Sequence, residues 1–581
     1  MPAEIWIRDL AARAPGDAIS RAGATGTWIA VDYEVQEGPG VMLLGLPGDG
    51  PPPLTLPLRA EGWHQVRLGV YYGSHAGALV DRMLLARLSG DAAYTRIGRE
   101  PFRADKDGDY PEKVTTWSDI AEVYWKSADL TGQDLVIAHP PRGAMAGRES
   151  CLAWVRLVPM DRAAVRSWRA RQPTADTRRL ITNYDGGSIS DWGLLEPGDF
   201  LDEFQALRDS DVDIALWAVA RGPITFYPSS VGELVPERHG MIAGPAVRRC
   251  VEAGVDPLRA AIDAARQSGL RLFPQNRLQG PQLPPQHLRS GFGGQFLADH
   301  PEWMALYADG EPTRHLSFAF PGVRDLHVRL MREWVQDYVA DGVNVLFSRS
   351  YPFAYYEEPV ARAFRAEYGE DMRRAPPSDV RAQRVRAAFV TQFLREVRYM
   401  LDEVGAAQDR HIPSCYLVPV GNSPPGLPPV TEISALDECL FNGLDVATWI
   451  AEGLVDYLVV HLHVYGQHDG TAWQDKIREF AALARGTGTR IVVDVYPRRM
   501  PPRQYRRIAM SYYDAGADGL SFWDSHGRHY RASEWAFLRR LGHRDELLDW
   551  QGVGDDNYRV VPLTRLDGFA MGREFSGPTD G

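Results

Sequence analysis

Two histidines and a tyrosine alternate with apolar residues along residues 456–466, DYLVVHLHVYG. A period of two places His461, His463 and Tyr465 on one face of a strand and the apolar residues on the other. Two imidazoles at this spacing suit one metal ion, as in metal-dependent hydrolases, but they also suit hydrogen bonding to a ligand or a structural role. No further His or carboxylate falls at recognisable ligand spacing. We therefore expect ligand contact without a cofactor, and a divalent metal at His461/His463 is the alternative.

A single carboxylate interrupts the β-branched run of residues 490–497, RIVVDVYP. An isolated charge such as Asp494 is costly in a buried strand unless it is paired or used. One interpretation is a salt bridge with Arg498 or Arg499, and the other is a nucleophile or general base.

Further acids lie at or just after predicted strand ends. Asp524 follows Trp523, Asp185 precedes two glycines, and the aromatic run of residues 350–358, SYPFAYYEE, ends in Glu357 and Glu358. Glycoside hydrolysis needs two carboxyl groups, about 5 Å apart for retention or about 6.5–9.5 Å for inversion. We expect a glutamate to be the general acid, and the alternative is a helix start with exposed glutamates.

Other polar and aromatic residues near strand ends are candidates for binding. Asn276 and Arg277 suit hydroxyls or a carboxylate, and Arg349 suits an acidic substrate group or a catalytic carboxylate. The catalytic candidates are Asp494, Glu358, Glu357 and Asp524. The substrate-binding candidates are Asp185, Trp217, Asn276, Arg277, Arg349, Tyr351, His461, His463, Tyr465, Tyr496 and Trp523.

These side chains need parallel strands to bring them to one place. Strands alternate with helical segments from about residue 177, and eight strands close a (β/α)₈ TIM barrel, whose active site lies at the carboxyl ends of the strands. An open doubly wound sheet is the competing fold, but no GxGxxG or GxxxxGK[ST] follows an early strand. The eight predicted strands cover residues 179–187, 213–222, 271–277, 342–350, 412–420, 456–466, 490–497 and 518–526.

The segments before and after the predicted barrel have a different sequence pattern. Residues 1–172 carry short apolar runs between turn-rich stretches, which predicts an N-terminal β-sandwich-like accessory domain. We place the boundary in the segment 168–176 and the barrel domain at 177–545. Residues 546–581 form a C-terminal extension with one strand-like run, YRVVPL, which packs on the first domain or hangs free.

The composition narrows the classes of partner. The formal charge of −12 argues against nucleic acid and anionic membranes, whereas the aromatic content of 10% suits stacking on sugars. Four separated cysteines indicate neither a disulfide framework nor a zinc knuckle. Because we find neither a signal peptide nor a transmembrane run, we expect a cytoplasmic location. The sequence leaves open whether the chain forms a homo-oligomer.

The barrel half resembles bacterial glycoside-hydrolase-like proteins of the kind described as similar to glycosyl hydrolase family ten. The resemblance covers about residues 177–530 and rests on RLITNYDGG, HPEWMALYADG, the run of residues 318–349, GLDVATWIAEGLVDYLVV and YYDAGADGLSFWD. It implies a (β/α)₈ barrel that processes oligosaccharides or polysaccharides. That group usually has acids on the fourth strand, but here Asn344 and Leu346 stand at those positions.

Three hypotheses follow. The leading one is a glycoside hydrolase in which Asp494 is nucleophile or base and Glu357 or Glu358 is the acid. The second is a metal-dependent hydrolase or lyase that uses His461 and His463. The third is a carbohydrate-binding barrel without catalysis, motivated by the missing acids of the fourth strand.

Overall fold

The computed structural model describes fourteen stretches of the 581-residue chain. None of the helices in these stretches is long and apolar enough to span a bilayer. The described residues are 3–71, 82–99, 119–174, 176–236, 244–278, 294–348, 352–376, 378–421, 432–462, 473–495, 502–523, 535, 538–549 and 558–571.

Eight parallel strands close on themselves and form a barrel. Each strand pairs with the next one in the chain, and β1 also pairs with β8, which closes the ring. The predicted TIM barrel is therefore confirmed. The strands are β1 (Leu180–Tyr184), β2 (Val212–Arg221), β3 (Arg271–Arg277), β4 (Val343–Leu346), β5 (Ser414–Val420), β6 (Tyr457–Leu462), β7 (Arg490–Asp494) and β8 (Gly519–Phe522).

Helices and short strands fill the connections between barrel strands. The helix Pro321–Gln336 begins with proline at its first position and buries Val323, Leu326, Leu330 and Trp334 as one stripe. The other helices are Ser188–Trp192, Pro197–Gln205, Gly244–Glu252, Pro257–Gln267, Gly294–Asp299, Glu358–Tyr368, Val380–Ala407, Ala435–Phe441, Val446–Ala451, Gln474–Ala484, Pro502–Asp514 and Arg544–Asp549, with 3₁₀ turns Pro301–Trp303 and Met372–Arg374. The short strands are Ile224–Thr225, Glu233–Leu234, Met304–Leu306 and Pro312–Leu316.

The two faces of the barrel strands bury different cores. Side chains such as Val460 and Leu462 face outward and pack in the large core that the surrounding helices cover. A smaller core fills the barrel axis: Ile181, Ile214, Leu216, Phe273, Leu346, Cys415, Leu417, Val459, Val492 and Trp523. Burial on both faces explains why these strands are apolar almost throughout.

The N-terminal domain is built from two sheets, one of ten strands and one of four. Apolar side chains from both sheets, for example Val66 and Leu68 from one and Leu84 and Leu135 from the other, form one shared core. The predicted sandwich-like domain ahead of the barrel is therefore confirmed. Its elements are the strands Ile5–Ile7, Ile19–Ser20, Trp28–Val35, Gly38–Gly45, Leu54–Pro57, Trp63–Tyr71, Arg82–Leu88, Thr95–Arg99, Asp119–Asp129, Asp134–Ala138, Ser150–Leu152 and Trp154–Pro159, the 3₁₀ turns Ala11–Arg13, Gly16–Ala18 and Ala144–Gly147, and the helix Arg162–Ala170.

The C-terminal segment returns to the first domain. The strand Tyr558–Leu566 lies between Asp119–Asp129 and Trp28–Val35 in the ten-stranded sheet and pairs antiparallel with both. A short strand, Phe569–Ala570, folds back on it. Residues from the two ends of the chain therefore share one sheet, with the barrel between them in sequence.

The two domains contact each other through buried charges. Arg96 of the sandwich forms an ion pair with Glu203 of the barrel helix Pro197–Gln205, and its guanidinium lies 3.9 Å from the ring centroid of Trp192. Beside it, the backbone N–H of Tyr94 donates to Asp202 over 2.7 Å. Burial raises the pKa of Asp202 to about 6.

Candidate active site

His461 and Asp494 form a buried pair at the carboxyl ends of two neighbouring strands. Nδ1 of His461 lies 2.7 Å from Oδ2 of Asp494, and the exposed fractions of the two residues are 2% and 0%. Val460 and Leu462, on either side of His461, belong to the outward-facing core. Since side chains alternate along a strand, His461 points into the barrel, and so does its partner Asp494. A carboxylate on Nδ1 selects the tautomer with the proton on that nitrogen, so Nε2 of the neutral ring keeps its lone pair.

Trp523 joins this pair to the end of β8. Its backbone N–H donates to Oδ1 of Asp494 over 3.0 Å, and the centroid of its indole lies 4.6 Å from that of the His461 imidazole. Both carboxylate oxygens of Asp494 thus accept hydrogen bonds, which suits a group that orients the imidazole and stabilises its charged form. Three of the predicted site residues, from three strands, are brought into one cluster.

A second cluster lies where β1, β2 and β3 end. Asp185 forms an ion pair with Arg277, and Nη2 of Arg221 lies 3.9 Å from its Oδ1 and donates to its backbone carbonyl over 3.1 Å. Burial and the charge of Arg277 lower the pKa of Arg221 to about 10, so Arg221 stays protonated at neutral pH. Asp185 and Arg277, which were predicted separately as binding residues, therefore lie together.

Arg221 ends β2 but is not among the site residues predicted from the sequence. The register between β2 and β3 shifts between Ala218 and Ala220, so that Arg221 pairs with Arg277 across the two strands. Such a bulge re-aims the residues that follow it, and here it places the two arginines side by side. Inspection of strand ends would have selected Arg221, but nothing in the sequence indicated the bulge.

Polar side chains also continue into the barrel below the two clusters. Asn183 donates to Gln275 over 2.9 Å, and Gln275 lies opposite Asn344 in the register of β3 and β4. Within the described part of the chain, the buried polar atoms that have no hydrogen-bond partner include Gln275 Nε2, Asn344 Oδ1, Ser348 Oγ and Ser521 Oγ, all near the axis. Hydroxyl groups or water are the natural partners of such atoms.

The two positions of β4 at which the family resemblance leads us to expect acids are neutral and buried. Leu346 belongs to the core along the axis, and Asn344 donates to the carbonyl of Cys415 over 2.9 Å. Neither side chain ionises, so β4 supplies no carboxylate between residues 343 and 348.

The predicted glutamate acids occupy structural positions. Glu357 is fully buried, and its carboxylate accepts the backbone N–H groups of Leu306 and Tyr355 over 3.0 and 2.9 Å. Burial raises the pKa of Glu357, although these N–H donors act in the opposite direction. Glu358 is exposed at the first position of the helix Glu358–Tyr368. Glu358 is therefore an exposed glutamate at a helix start, as the alternative interpretation predicted. Glu357 instead fixes the backbone of residues 306 and 355 through its hydrogen bonds.

Two predicted binding residues face away from the axis. Trp217 packs on Tyr184 with ring centroids 5.1 Å apart, in the core behind the strands. Asn276 donates to the carbonyl of Gly222 and to Nδ1 of His327, whose pKa burial lowers to about 3. This placement corrects the expectation for both residues, because alternation along β2 and β3 directs them to the helices.

Six further candidates lie outside the described residues. They are Arg349, Tyr351, His463, Tyr465, Tyr496 and Asp524.

The described residues contain no group of three or more His, Cys, Asp or Glu side chains placed to hold a metal ion. All four cysteines are buried and free.

The geometry defines a closed (β/α)₈ barrel with polar and charged side chains at the carboxyl ends of its strands. The family described as Glycosyl hydrolase-like 10 matches residues 200–498, half of the chain, and the chain belongs to this family. No curated protein matches the sequence.

Solved structures with low sequence identity align with the chain. A β-galactosidase from the psychrophilic Marinomonas ef1 is 12% identical with a TM-score of 0.39, and the alignment covers 64% of this chain and 61% of that one. An endo-β-1,4-mannanase from Thermotoga petrophila is 14% identical with a TM-score of 0.35, covering 60% of this chain and 68% of that one. A GH20 exo-β-N-acetylglucosaminidase from Vibrio harveyi is 10% identical with a TM-score of 0.33, covering 72% and 61%.

Proposed function

We propose that this protein is a glycoside hydrolase that cleaves an oligosaccharide or polysaccharide at the mouth of the barrel. The observation that carries the proposal is the buried hydrogen bond between His461 and Asp494 at the carboxyl ends of β6 and β7. Active sites of TIM barrels lie at these strand ends, and membership of a glycosyl hydrolase-like family supports a glycan as substrate.

In this proposal His461 transfers the proton. Its protonated Nε2 donates to the glycosidic oxygen as the bond from C1 to that oxygen breaks, while Asp494 stabilises the imidazolium. Asp494 therefore acts through His461, and both of its oxygens are already engaged.

Asp185 is the second carboxylate of the proposed reaction. Glycoside hydrolysis develops positive charge at the sugar ring, and a carboxylate across the mouth stabilises this charge or takes a proton from the attacking water. Arg277 and Arg221 hold Asp185 in place, and Arg277 is also positioned to bind sugar hydroxyls. The proposed reaction thus uses side chains of this protein and the attacking water.

The experiment starts from a panel of glycans and measures release of reducing ends. For any glycan that the wild type cleaves, we expect His461→Gln and Asp494→Asn to lose about 100-fold or more in kcat/KM. His411→Gln is the matched control, because His411 forms a 2.8 Å pair with Asp456, just ahead of β6 at the other end of the barrel. Full activity in both mouth variants would refute the assignment.

A second candidate function is a carbohydrate-binding barrel without catalysis. The observation that favours it is the pair of neutral inward positions on β4, Asn344 and Leu346, where the family resemblance leads us to expect acids. Glycan binding by the wild type with no released reducing ends after prolonged incubation would favour this candidate over the hydrolase.

A further inference from the structure

We propose that Tyr307 and Tyr355 form a separate sugar-stacking subsite on the rim of the barrel, which binds a pyranose unit of a chain that extends out of the mouth. The inference rests on the proposed function and deepens it, because it assigns the substrate to chains of several sugars. Tyr355 belongs to the aromatic run of residues 350–358, which the sequence suggested as suitable for a sugar subsite, whereas Tyr307 was not singled out from the sequence.

The two rings form an ordered, partly exposed pair. Their centroids lie 5.9 Å apart and their planes meet at 83°, an edge-to-face arrangement. Tyr307 is 40% exposed. Tyr355 is more deeply buried, and this burial raises the pKa of its hydroxyl group to about 12. One ring thus offers an open surface and the other supports it.

The buried carboxylate of Glu357 fixes the backbone that carries both tyrosines. It accepts the N–H of Leu306, the residue before Tyr307, and the N–H of Tyr355 itself. The N–H of Tyr356 in turn donates to the carbonyl of Leu306 over 3.1 Å. This arrangement gives Glu357 a positioning role.

A second contact from a helix reinforces this segment. Nε of Arg386, in the helix Val380–Ala407, donates to the carbonyl of Tyr355 over 3.3 Å, and its guanidinium lies 4.5 Å from the ring centroid of Tyr356. A platform that is ordered before the ligand arrives loses little entropy on binding.

The subsite lies in the two connections that follow β3 and β4, which contact each other through aromatic residues. Phe347 directly follows β4, and its ring centroid lies 5.2 Å from that of Phe353 in the same loop. The carbonyl of Phe353 accepts the N–H of Phe318, just after the strand Pro312–Leu316. The connections after β3 and β4 thus meet on the side of the barrel where active sites lie.

The size and chemistry of the platform favour a sugar. Specific protein partners bury on the order of 800 Å² per side, far more than one partly exposed ring offers. A tyrosine ring presents a flat apolar face with a polar hydroxyl at its edge, which matches the apolar face and hydroxyl rim of a pyranose.

The test measures binding of defined glycans to full-length variants by calorimetry. The probes are cellohexaose, mannohexaose and chitohexaose, each compared with its disaccharide. For the hexasaccharide that binds, we expect Tyr307→Ala to weaken affinity about tenfold and Tyr307→Trp to keep or improve it, with disaccharide affinity unchanged. Tyr399→Ala is the matched control, because Tyr399 is 73% exposed on the helix Val380–Ala407.

The outcomes separate this inference from the proposed hydrolase. Wild-type affinity of Tyr307→Ala for the hexasaccharide, an equal loss for both chain lengths, or the absence of hexasaccharide binding to the wild type would overturn the subsite. Hexasaccharide binding that depends on Tyr307 without any cleavage would support the subsite and remove the hydrolase. Cleavage that depends on His461 with no effect of Tyr307→Ala would support the hydrolase and remove the subsite.

Discussion

The Nδ1 atom of His461 lies 2.7 Å from Oδ2 of Asp494, inside the barrel and almost out of contact with solvent. The other carboxylate oxygen is held by the backbone of Trp523, so the carboxylate has one orientation. The two residues therefore have different roles in the proposed reaction: the imidazole exchanges the proton and the carboxylate sets the tautomer.

Asp494→Asn should reverse the tautomer of His461. The backbone N–H of Trp523 orients the amide oxygen, which leaves the NH₂ group toward Nδ1 and places the imidazole proton on Nε2. We expect the ¹⁵N shifts of the imidazole to exchange their pattern and kcat to fall about 100-fold while glycan affinity is kept. Unchanged ¹⁵N shifts would contradict the proposed role of Asp494.

Arg277→Ala should reduce glycan cleavage about tenfold or more, because Asp185 loses its ion-pair partner. Arg271→Ala is the control on the same strand: Arg271 begins β3 and pairs with Asp213 at the opposite end of the barrel. We expect both variants to lose stability in urea unfolding, but only Arg277→Ala to lose activity beyond its folded fraction. Equal activities would remove Asp185 from the proposed reaction.

Lowering the pH from 7 to 5 should strengthen the contact between the domains. The pKa of Asp202 is about 6 in the folded state against 3.8 for an unperturbed carboxyl, so the folded protein binds this proton more tightly. The cost of ionised Asp202 is therefore present at neutral pH and is relieved progressively as the pH falls from about 6 toward 3.8. Burial also raises the pKa of Asp211 to about 6, and this residue, which lies within the barrel domain, changes the unfolding free energy in the same direction.

The corresponding variant is Asp202→Asn, which keeps an acceptor for the N–H of Tyr94. We expect it to be more stable than the wild type at pH 7 by about 1–2 kcal/mol and to show a flatter dependence of unfolding free energy between pH 5 and 7. Asp325→Asn, at an exposed pair with Arg329, is the control. If the unfolding free energy of Asp202→Asn kept the pH dependence of the wild type, Asp202 would not be the cause of that dependence.

Arg559→Ala should destabilise the N-terminal domain by about 1–2 kcal/mol. Burial alone would raise the pKa of Glu122, yet Arg559 and two further donors outweigh it, and the pKa is lowered. This stabilisation is present at neutral pH and is lost as the pH falls through the folded-state pKa. Arg565→Ala, on the same strand with a more exposed 3.6 Å pair, should be nearly neutral, and urea unfolding distinguishes the two. A neutral effect of Arg559→Ala would refute this role of the C-terminal strand.

The sequence by itself determined the barrel and the direction of one key side chain. Apolar runs with helical stripes between them predicted all eight strands, since strands buried on both faces must be apolar and their helices need one apolar side. On β6 the alternation of polar and apolar residues also predicted that His461 faces inward.

The tertiary structure alone decided how these residues meet. Both faces of β2 are largely apolar and both faces of β3 end in a polar residue, so alternation did not show that Trp217 and Asn276 point outward. Three contacts join residues far apart in the chain: the pairing of His461 with Asp494, the bulge that brings Arg221 to Arg277, and the N–H group of Leu306 held by Glu357. Such contacts depend on strand register and loop geometry, which are set by packing across the whole barrel and leave no local pattern in the sequence.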